Sequence, residues 1–133
     1  ASITKNAPTF TKSIVGDNFD DASAVHAVDL DGDGDMDILA ATGPASSEFA
    51  WFQNNGNGVF SKNTIANQGS YLRSINAADF DGDGDIDVVT SNRSNNQDYW
   101  RNDGNESFSQ ITMGSSTDVD IFPVDLDQDG DID

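Results

Sequence analysis

Residues 29–37 read DLDGDGDMD, and this acidic nine-residue loop decides how the chain is interpreted. The loop recurs as DFDGDGDID at 79–87 and as DLDQDGDID at 125–133. Fifteen of the 24 acidic residues lie in these three loops, which leaves nine others against six lysines and arginines. The formal net charge of −18 is therefore concentrated in the loops, where the carboxylates would repel one another without a cation.

Alternate positions of each loop supply oxygen atoms at the spacing that calcium requires. Ca²⁺ binds roughly six to eight oxygens from carboxylates, carbonyls and water. We expect ligands from the side chains at positions 1, 3 and 5, from the backbone carbonyl at position 7, and from a bidentate carboxylate at position 9. Glycine at position 6 permits the sharp turn. Three Ca²⁺ sites are predicted, with the ligands Asp29, Asp31, Asp33, Asp35 and Asp37; Asp79, Asp81, Asp83, Asp85 and Asp87; and Asp125, Asp127, Asp129, Asp131 and Asp133.

Other metals and other calcium loops fit these residues less well. Mg²⁺ prefers a small rigid octahedron with several retained waters, so it is the less favoured alternative. Zinc and copper are disfavoured because the chain has no cysteine and a single histidine, His26. An EF-hand needs Glu at position 12 and flanking helices, whereas Ala40 and Thr90 occupy that position in the first two loops.

The residues around the loops indicate β-strands in a repeated unit. Short apolar runs flank the first loop at 25–28 and 38–41, and similar runs flank the second. Downstream, residues 51–60 align without a gap on 99–108. Both segments contain an Asn-Gly or Asp-Gly dipeptide, which favours a type I′ hairpin turn because both of its central residues need positive φ. Each unit therefore reads as a four-stranded antiparallel meander, the size of one β-propeller blade.

The all-β chain holds about two and a half such units. We predict the last strand of a preceding blade at 9–15, blades at 24–66 and 71–114, and the start of a next blade at 119–133. A closed propeller needs about four to eight blades. We therefore expect a fragment of a longer protein, or else one segment of an assembly, with further blades supplied by the same or another chain.

Composition narrows the classes of partner and of activity. The acidic charge disfavours nucleic acid and anionic membrane surfaces, and no apolar run reaches the roughly 20 residues of a membrane span. No cysteine is present, so a metal can take the stabilising role that disulfides play elsewhere. No catalytic constellation is recognisable, and we expect a protein that is not an enzyme. The paired aromatics at 51–52 and 99–100 are expected to pack in the core.

These units resemble FG-GAP/VCBS repeats, the calcium-loop blades of integrin α-subunit propellers and of many large secreted bacterial proteins. The resemblance is carried by residues 29–39 with 51–60, and again by 79–89 with 99–108. It implies a β-propeller with largely structural calcium ions between the first two strands of each blade. Gln128 departs from the pattern, since Gly32 and Gly82 stand there in the other loops, but that position is not a ligand.

The expected function is that of a calcium-binding propeller module, a scaffold or binding module of a secreted or cell-surface protein. Loops 42–49 and 91–98 differ most between the units, and loops on a rigid scaffold are where a glycan or protein ligand would bind. Two alternatives stay open. One is a calcium-dependent, lectin-like carbohydrate-binding domain, and the other is a non-catalytic appendage of a secreted polysaccharide-degrading enzyme.

Overall fold

A computed structural model describes residues 12–16, 19–43, 47–67, 71–94, 96–115, 120–127, 129–130 and 132. Within these ranges every regular element is a β-strand. The same ranges contain no helix that is long and apolar enough to cross a membrane.

Two four-stranded antiparallel sheets follow one another along the chain. The first sheet contains β1 (Ala22–Val28), β2 (Asp37–Thr42), β3 (Glu48–Asn54) and β4 (Phe60–Asn67). The second contains β5 (Leu72–Ala78), β6 (Asp87–Asn92), β7 (Asn96–Asn102) and β8 (Phe108–Ser115). In both sheets the strands lie in sequence order and pair with their neighbours, which confirms the predicted four-stranded meander.

The first two aspartate loops occupy equivalent places in the two sheets. Residues 29–36 connect β1 to β2, and residues 79–86 connect β5 to β6. Val28 pairs with Asp37, and Ala78 pairs with Asp87, so each loop closes an antiparallel hairpin. The strands that follow the loops are the most buried of their sheets, because they are central and are covered on both faces.

One hydrophobic core joins the two sheets. Its buried members are Leu30, Leu39, Ala41, Phe49 and Trp51 from the first unit, and Leu72, Ile75, Val88 and Trp100 from the second. The rings of Phe49 and Trp100 meet edge to face, with centroids 5.8 Å apart. The Ser23 hydroxyl also donates a hydrogen bond to the Leu72 carbonyl at 2.9 Å. The two sheets are therefore packed against each other through apolar and polar contacts.

The faces that meet in this core are not equivalent ones. We call the face of the first sheet that bears Leu39 and Trp51 its front face, and these two residues pair across β2 and β3. Counting from the last aspartate of each loop, the residue equivalent to Leu39 is Val89, yet Val88 is the residue that enters the shared core. The front face of one sheet therefore packs on the back face of the next, in a head-to-tail arrangement.

Val15 and Phe19 lie on the back face of the first sheet. Val15 and Phe19 pack against a second cluster that contains Phe52, and the rings of Phe19 and Phe52 meet edge to face at 5.1 Å. Residues 12–16 form no strand, and residues 9–11 of the strand predicted at 9–15 lie outside the described residues. The described part of this segment thus covers the sheet by side-chain packing and not by strand pairing.

Ile121 lies beside the second sheet, at the face that bears Val89 and Tyr99. The Asn76 side-chain amide donates to the Ile121 carbonyl at 2.6 Å, which holds this segment beside β5. Residues 120–125 form no strand, although a first strand was predicted within 119–133. The described hydrogen bond comes from a side chain, whereas a strand requires a ladder of backbone hydrogen bonds.

The predicted hairpins at the Asn-Gly and Asp-Gly dipeptides are present, but the prediction of a type I′ turn centred on these dipeptides is wrong, because neither Asn55 nor Asp103 has a positive φ. The loops between β3 and β4 and between β7 and β8 contain five residues each, 55–59 and 103–107. Gly56 has a φ of +76°, whereas Asn55 is not left-handed, so a two-residue type I′ turn does not form. The Asn54 side-chain oxygen instead accepts the Gly56 N–H at 3.1 Å, and Asn55 N–H donates to the Val59 carbonyl at 3.0 Å.

Truncating the core at Phe49 should destabilise the whole described fold. Phe49 is fully buried and contacts Trp100 of the other sheet, so Phe49→Ala should lower the free energy of unfolding by about 3–5 kcal/mol. Phe122→Ala is the matched control, because that ring is 78% exposed and its loss should change stability by less than about 0.5 kcal/mol. Urea unfolding measures both, and equal losses would contradict the assigned core.

Candidate metal centre

Carboxylates from three positions converge in each aspartate loop. In the first loop, one carboxylate oxygen from each of Asp29, Asp31 and Asp33 lies within 4.8 Å of the other two. The equivalent residues Asp125, Asp127 and Asp129 converge in the same way in the third loop. The second loop brings together Asp79, Asp81 and Asp87, which occupy positions 1, 3 and 9. Asp37 of the first loop and Asp83 of the second are not members of these clusters, so in each of these two loops three of the four predicted side-chain ligands are close enough to share one cation.

The backbone at position 6 has the same conformation in all three loops. Gly34, Gly84 and Gly130 have φ values of +95°, +96° and +103°. Residues that carry a Cβ atom rarely adopt such positive φ values, whereas glycine does so readily. Each glycine N–H donates to Oδ2 of the position-1 aspartate at 3.0 Å. The turn that was predicted at this glycine is therefore confirmed, and it orients the first carboxylate of the loop.

Hydrogen bonds within each loop orient the next carboxylate as well. The backbone N–H at position 5 donates to Oδ1 of the position-3 aspartate in every loop. The donor–acceptor distances are 3.2 Å for Asp33 to Asp31, 3.3 Å for Asp83 to Asp81 and 3.2 Å for Asp129 to Asp127. These short aspartate turns preorganise the side-chain oxygens before any ion binds.

The aspartate at position 9 has a second role that sequence reasoning missed. Asp37 is fully buried, and its two oxygens accept the backbone N–H of Leu30 at 3.1 Å and of Asn54 at 2.7 Å. Asp87 is equally buried and accepts from Phe80 at 3.1 Å and Asn102 at 2.7 Å. Each closing carboxylate therefore ties the start of its loop to the end of the third strand.

Tyr99 adds a further contact to this buried carboxylate in the second unit. Its hydroxyl donates to Asp87 Oδ2 at 2.8 Å. Burial, and then the hydrogen bond to the Asp87 carboxylate, raise the pKa of Tyr99 above its usual range. Tyr99 therefore stays protonated and remains a hydrogen-bond donor to Asp87.

Two asparagines, Asn54 and Asn102, complete the link between loop and hairpin. The side-chain amide of Asn54 donates to the Met36 carbonyl at 3.1 Å, and that of Asn102 donates to the Ile86 carbonyl at 3.3 Å. The same side chains accept the N–H of Gly56 and Gly104. Both asparagines stand two residues before the turn glycine, and this repeated spacing was the sequence signal that could have found them.

The position-7 side chains face the neighbouring hairpin turn. A Cβ atom placed on Gly56 would lie only 2.6 Å from Asp35 Oδ2, and one on Gly104 would lie 3.5 Å from Asp85 Oδ2. This orientation agrees with the prediction that position 7 contributes its backbone carbonyl and not its side chain. The remaining predicted ligands of the third loop, Asp131 and Asp133, lie outside the described residues.

The electrostatics of the loops fit a hard cation. Asp29 Oδ1 is buried and accepts no hydrogen bond, although an ionised oxygen without a partner is costly to bury. Partial desolvation, together with the neighbouring Asp83 carboxylate, raises the pKa of Asp81. The donor set consists of oxygen atoms alone, which hard cations such as Ca²⁺ prefer. A bound cation would satisfy the Asp29 oxygen and relieve the crowding around Asp81.

The aromatic pairs lie in the core with one exception, and the variable loops are shorter than predicted. Trp51, Phe52 and Trp100 are buried and belong to the two clusters described above, as their repeated positions predicted. Tyr99 is half-buried and lies outside both clusters, and its ring meets that of Phe80 edge to face with centroids 5.9 Å apart. The connections predicted at 42–49 and 91–98 are shorter than expected, because the strands extend into them and leave 43–47 and 93–95. Residues 44–46 and 95 lie outside the described residues.

Stacked four-stranded meanders, each with an oxygen-rich acidic loop between its first two strands, define a tandem-repeat β protein. The sequence model of the FG-GAP-like repeat matches residues 29–90 and 79–133. The chain therefore belongs to the FG-GAP-like repeat family, as the resemblance of its loops and aromatic strands indicated. Comparison with curated proteins and with solved structures gave no match.

Replacing Asn102 should weaken the link between the second loop and its hairpin. Asn102→Ala leaves the Ile86 carbonyl and the Gly104 N–H without their partner, and we expect a loss of about 1–3 kcal/mol in the free energy of unfolding. Asn57→Ala is the matched control, since Asn57 is exposed and, within the described part of the chain, its side chain bonds only to the Asn55 carbonyl of its own turn. Urea unfolding in excess calcium compares the two variants, and a loss for Asn57→Ala equal to that for Asn102→Ala would contradict the assigned link.

Proposed function

We propose that the chain is a calcium-stabilised repeat module that serves as a non-enzymatic scaffold or binding module of a secreted or cell-surface protein. The observation that carries this proposal is the convergence of carboxylate oxygens within 4.8 Å in three loops of the same design. The buried, unpartnered Oδ1 of Asp29 supports it further, because only a cation or a hydrogen-bond donor satisfies such an atom.

The side chains at positions 1, 3, 5 and 9 would hold the ion in each loop. Calcium supplies positive charge there and performs no chemical step. The residues of the chain position the ligands and link the loop to the sheet. The position-6 glycine orients the first carboxylate, and the buried position-9 aspartate connects the loop to the third strand. Ion binding would in this way strengthen contacts between the first, second and third strands of a unit.

An extracellular location agrees with the chemistry of these loops. Several of the clustered carboxylates are exposed, including Asp33 and Asp81. Calcium sites of extracellular modules typically bind with dissociation constants of about 10⁻⁴–10⁻³ M, which suits the free calcium of that environment. The absence of cysteine leaves bound metal as the available staple for the fold.

We further propose that the two sheets are blades of a β-propeller, with the chain supplying about two and a half blades. Head-to-tail stacking supports this, because a contact between two different faces repeats in one direction and closes into a ring when the rotation allows. In the first sheet the front face is covered by the second sheet, and the second sheet again presents a front face that bears Val89 and Tyr99.

The exposure of loop position 2 supports further blades of the same kind. Leu30 is 3% exposed beneath the second sheet, whereas Leu126 at the same position of the third loop is 74% exposed. Phe80 lies between these extremes and lines an apolar groove with Val89 and Ile121. The position-2 side chain is thus buried where a following unit packs on it, as the second sheet does on Leu30.

Calcium removal should lower the thermal stability of the protein. Each filled site contributes about 2.7 kcal/mol when free calcium is a hundredfold above its Kd, so excess chelator should reduce Tm by at least about 5 °C. The calcium-dependent part of Tm should shrink as the pH falls from about 7 to about 4, because protons compete with calcium for the carboxylates.

Differential scanning calorimetry with calcium, with magnesium at equal ionic strength, and with chelator measures these effects. Magnesium should replace only part of the lost stability. A Tm that is the same in calcium and in chelator would overturn the calcium proposal.

The propeller proposal predicts that the number of units decides whether the assembly closes. We expect chains built from tandem copies of residues 22–71 to be compact and monomeric at one copy number between about four and eight, and to self-associate at others. Size-exclusion chromatography with light scattering gives the mass, and small-angle X-ray scattering gives the shape. Elongated particles at every copy number would contradict ring closure.

A further inference from the structure

Gln53 and Arg101 occupy the same place in the two units but differ in charge. Each follows the buried aromatic residue of its third strand and lies opposite a serine of the fourth strand, Ser61 or Ser109. Both therefore stand beside their own aspartate loop at the level of its early positions. The difference between an amide and a guanidinium at this place affects the two loops unequally.

Gln53 orients a predicted ligand of the first loop. Its side-chain amide donates to Asp31 Oδ2 at 2.6 Å, while Asp31 Oδ1 accepts the Asp33 N–H at 3.2 Å. Both oxygens of this position-3 carboxylate are therefore directed by a donor. An outer-shell hydrogen bond of this kind fixes the orientation of a ligand without adding charge, and its removal typically costs about 10–100-fold in metal affinity.

Arg101 does not perform this task in the second loop. Its guanidinium pairs with Asp103, and the Nε atom donates to Asp103 Oδ1 at 2.7 Å. Within the described residues, no donor equivalent to the Gln53 amide reaches Asp81, the position-3 aspartate of the second loop. Asp103 chiefly, and Asp81 to a smaller extent, raise the pKa of Arg101, so a permanent positive charge lies near this loop.

We propose that the residue at this strand position sets the calcium affinity of each loop, so that loop 29–37 fills before loop 79–87. Gln53 is a positioning residue that acts through Asp31. Arg101 leaves Asp81 with the backbone hydrogen bond from Asp83 but without a side-chain donor, and it places a positive charge near the incoming ion. This inference rests on the calcium-binding function proposed above and adds an order of filling to it.

Calcium binding to each loop can be measured separately from the amide proton of that loop's position-6 glycine. The amide protons of Gly34 and Gly84 are hydrogen-bonded to the first aspartates of their loops, so their NMR resonances report the two loops individually during a calcium titration. In the natural chain we expect the Gly34 resonance to reach its midpoint at about tenfold lower calcium than that of Gly84.

Three variants separate positioning from general stability. Gln53→Met keeps the shape of the side chain without its amide, and it should raise the Gly34 midpoint about tenfold while the Gly84 midpoint stays in place. Arg101→Gln should lower the Gly84 midpoint. The double variant Arg101→Gln with Asp103→Asn reproduces the neutral Gln53 and Asn55 of the first unit, and it should bring the Gly84 midpoint close to that of Gly34.

The outcomes distinguish this inference from the function on which it rests. Equal midpoints in the natural chain, or a Gly84 midpoint that neither Arg101 variant moves, would overturn the inference and leave calcium binding intact. Parallel movement of both glycine midpoints in Gln53→Met would also overturn it, because that is the signature of a merely structural effect. Resonances that do not respond to calcium at all would end both proposals.

Discussion

Mutual repulsion among carboxylates is the constraint on which the rest of the structure depends. Asp29, Asp31 and Asp33 present oxygens within 4.8 Å of one another, and the backbone of the loop holds them there through a left-handed glycine and short aspartate turns. The like charges that the loop holds together repel one another, which is energetically unfavourable. The calcium proposed above would supply the positive charge that offsets this repulsion at one end of each unit.

The last aspartate of each of the first two loops is buried, so the acidic loops contribute carboxylates to the interior of the protein. Asp37 and Asp87 each accept backbone hydrogen bonds from the loop and from the third strand, so each acidic loop is hydrogen-bonded into its sheet. Asn54 and Asn102 extend the same link into the hairpin beyond. As a result, whatever neutralises the loop acts on the first three strands of the unit at once.

The loops, strands and core aromatics could be predicted from sequence because each carries a local signal. Alternating aspartates with glycine at position 6 predicted the loop, and Trp51 and Trp100 predicted the packed strands. The five-residue turns were missed because they depend on the Asn54 and Asn102 side chains, which capture the turn glycines across two residues. The role of Gln53 depends on a contact between residues that lie 22 positions apart, for which a single sequence has no signal.

The head-to-tail stacking of the two sheets has an evolutionary consequence. The junction between the two described sheets joins the front face of one unit to the back face of the next, so gene duplication of one unit would reproduce a junction that already exists. A two-fold symmetric contact would not have this property, because it uses both copies of one patch and offers nothing to a third unit. Lineages can thus lengthen or shorten such an array by whole units while each interface is inherited ready-made.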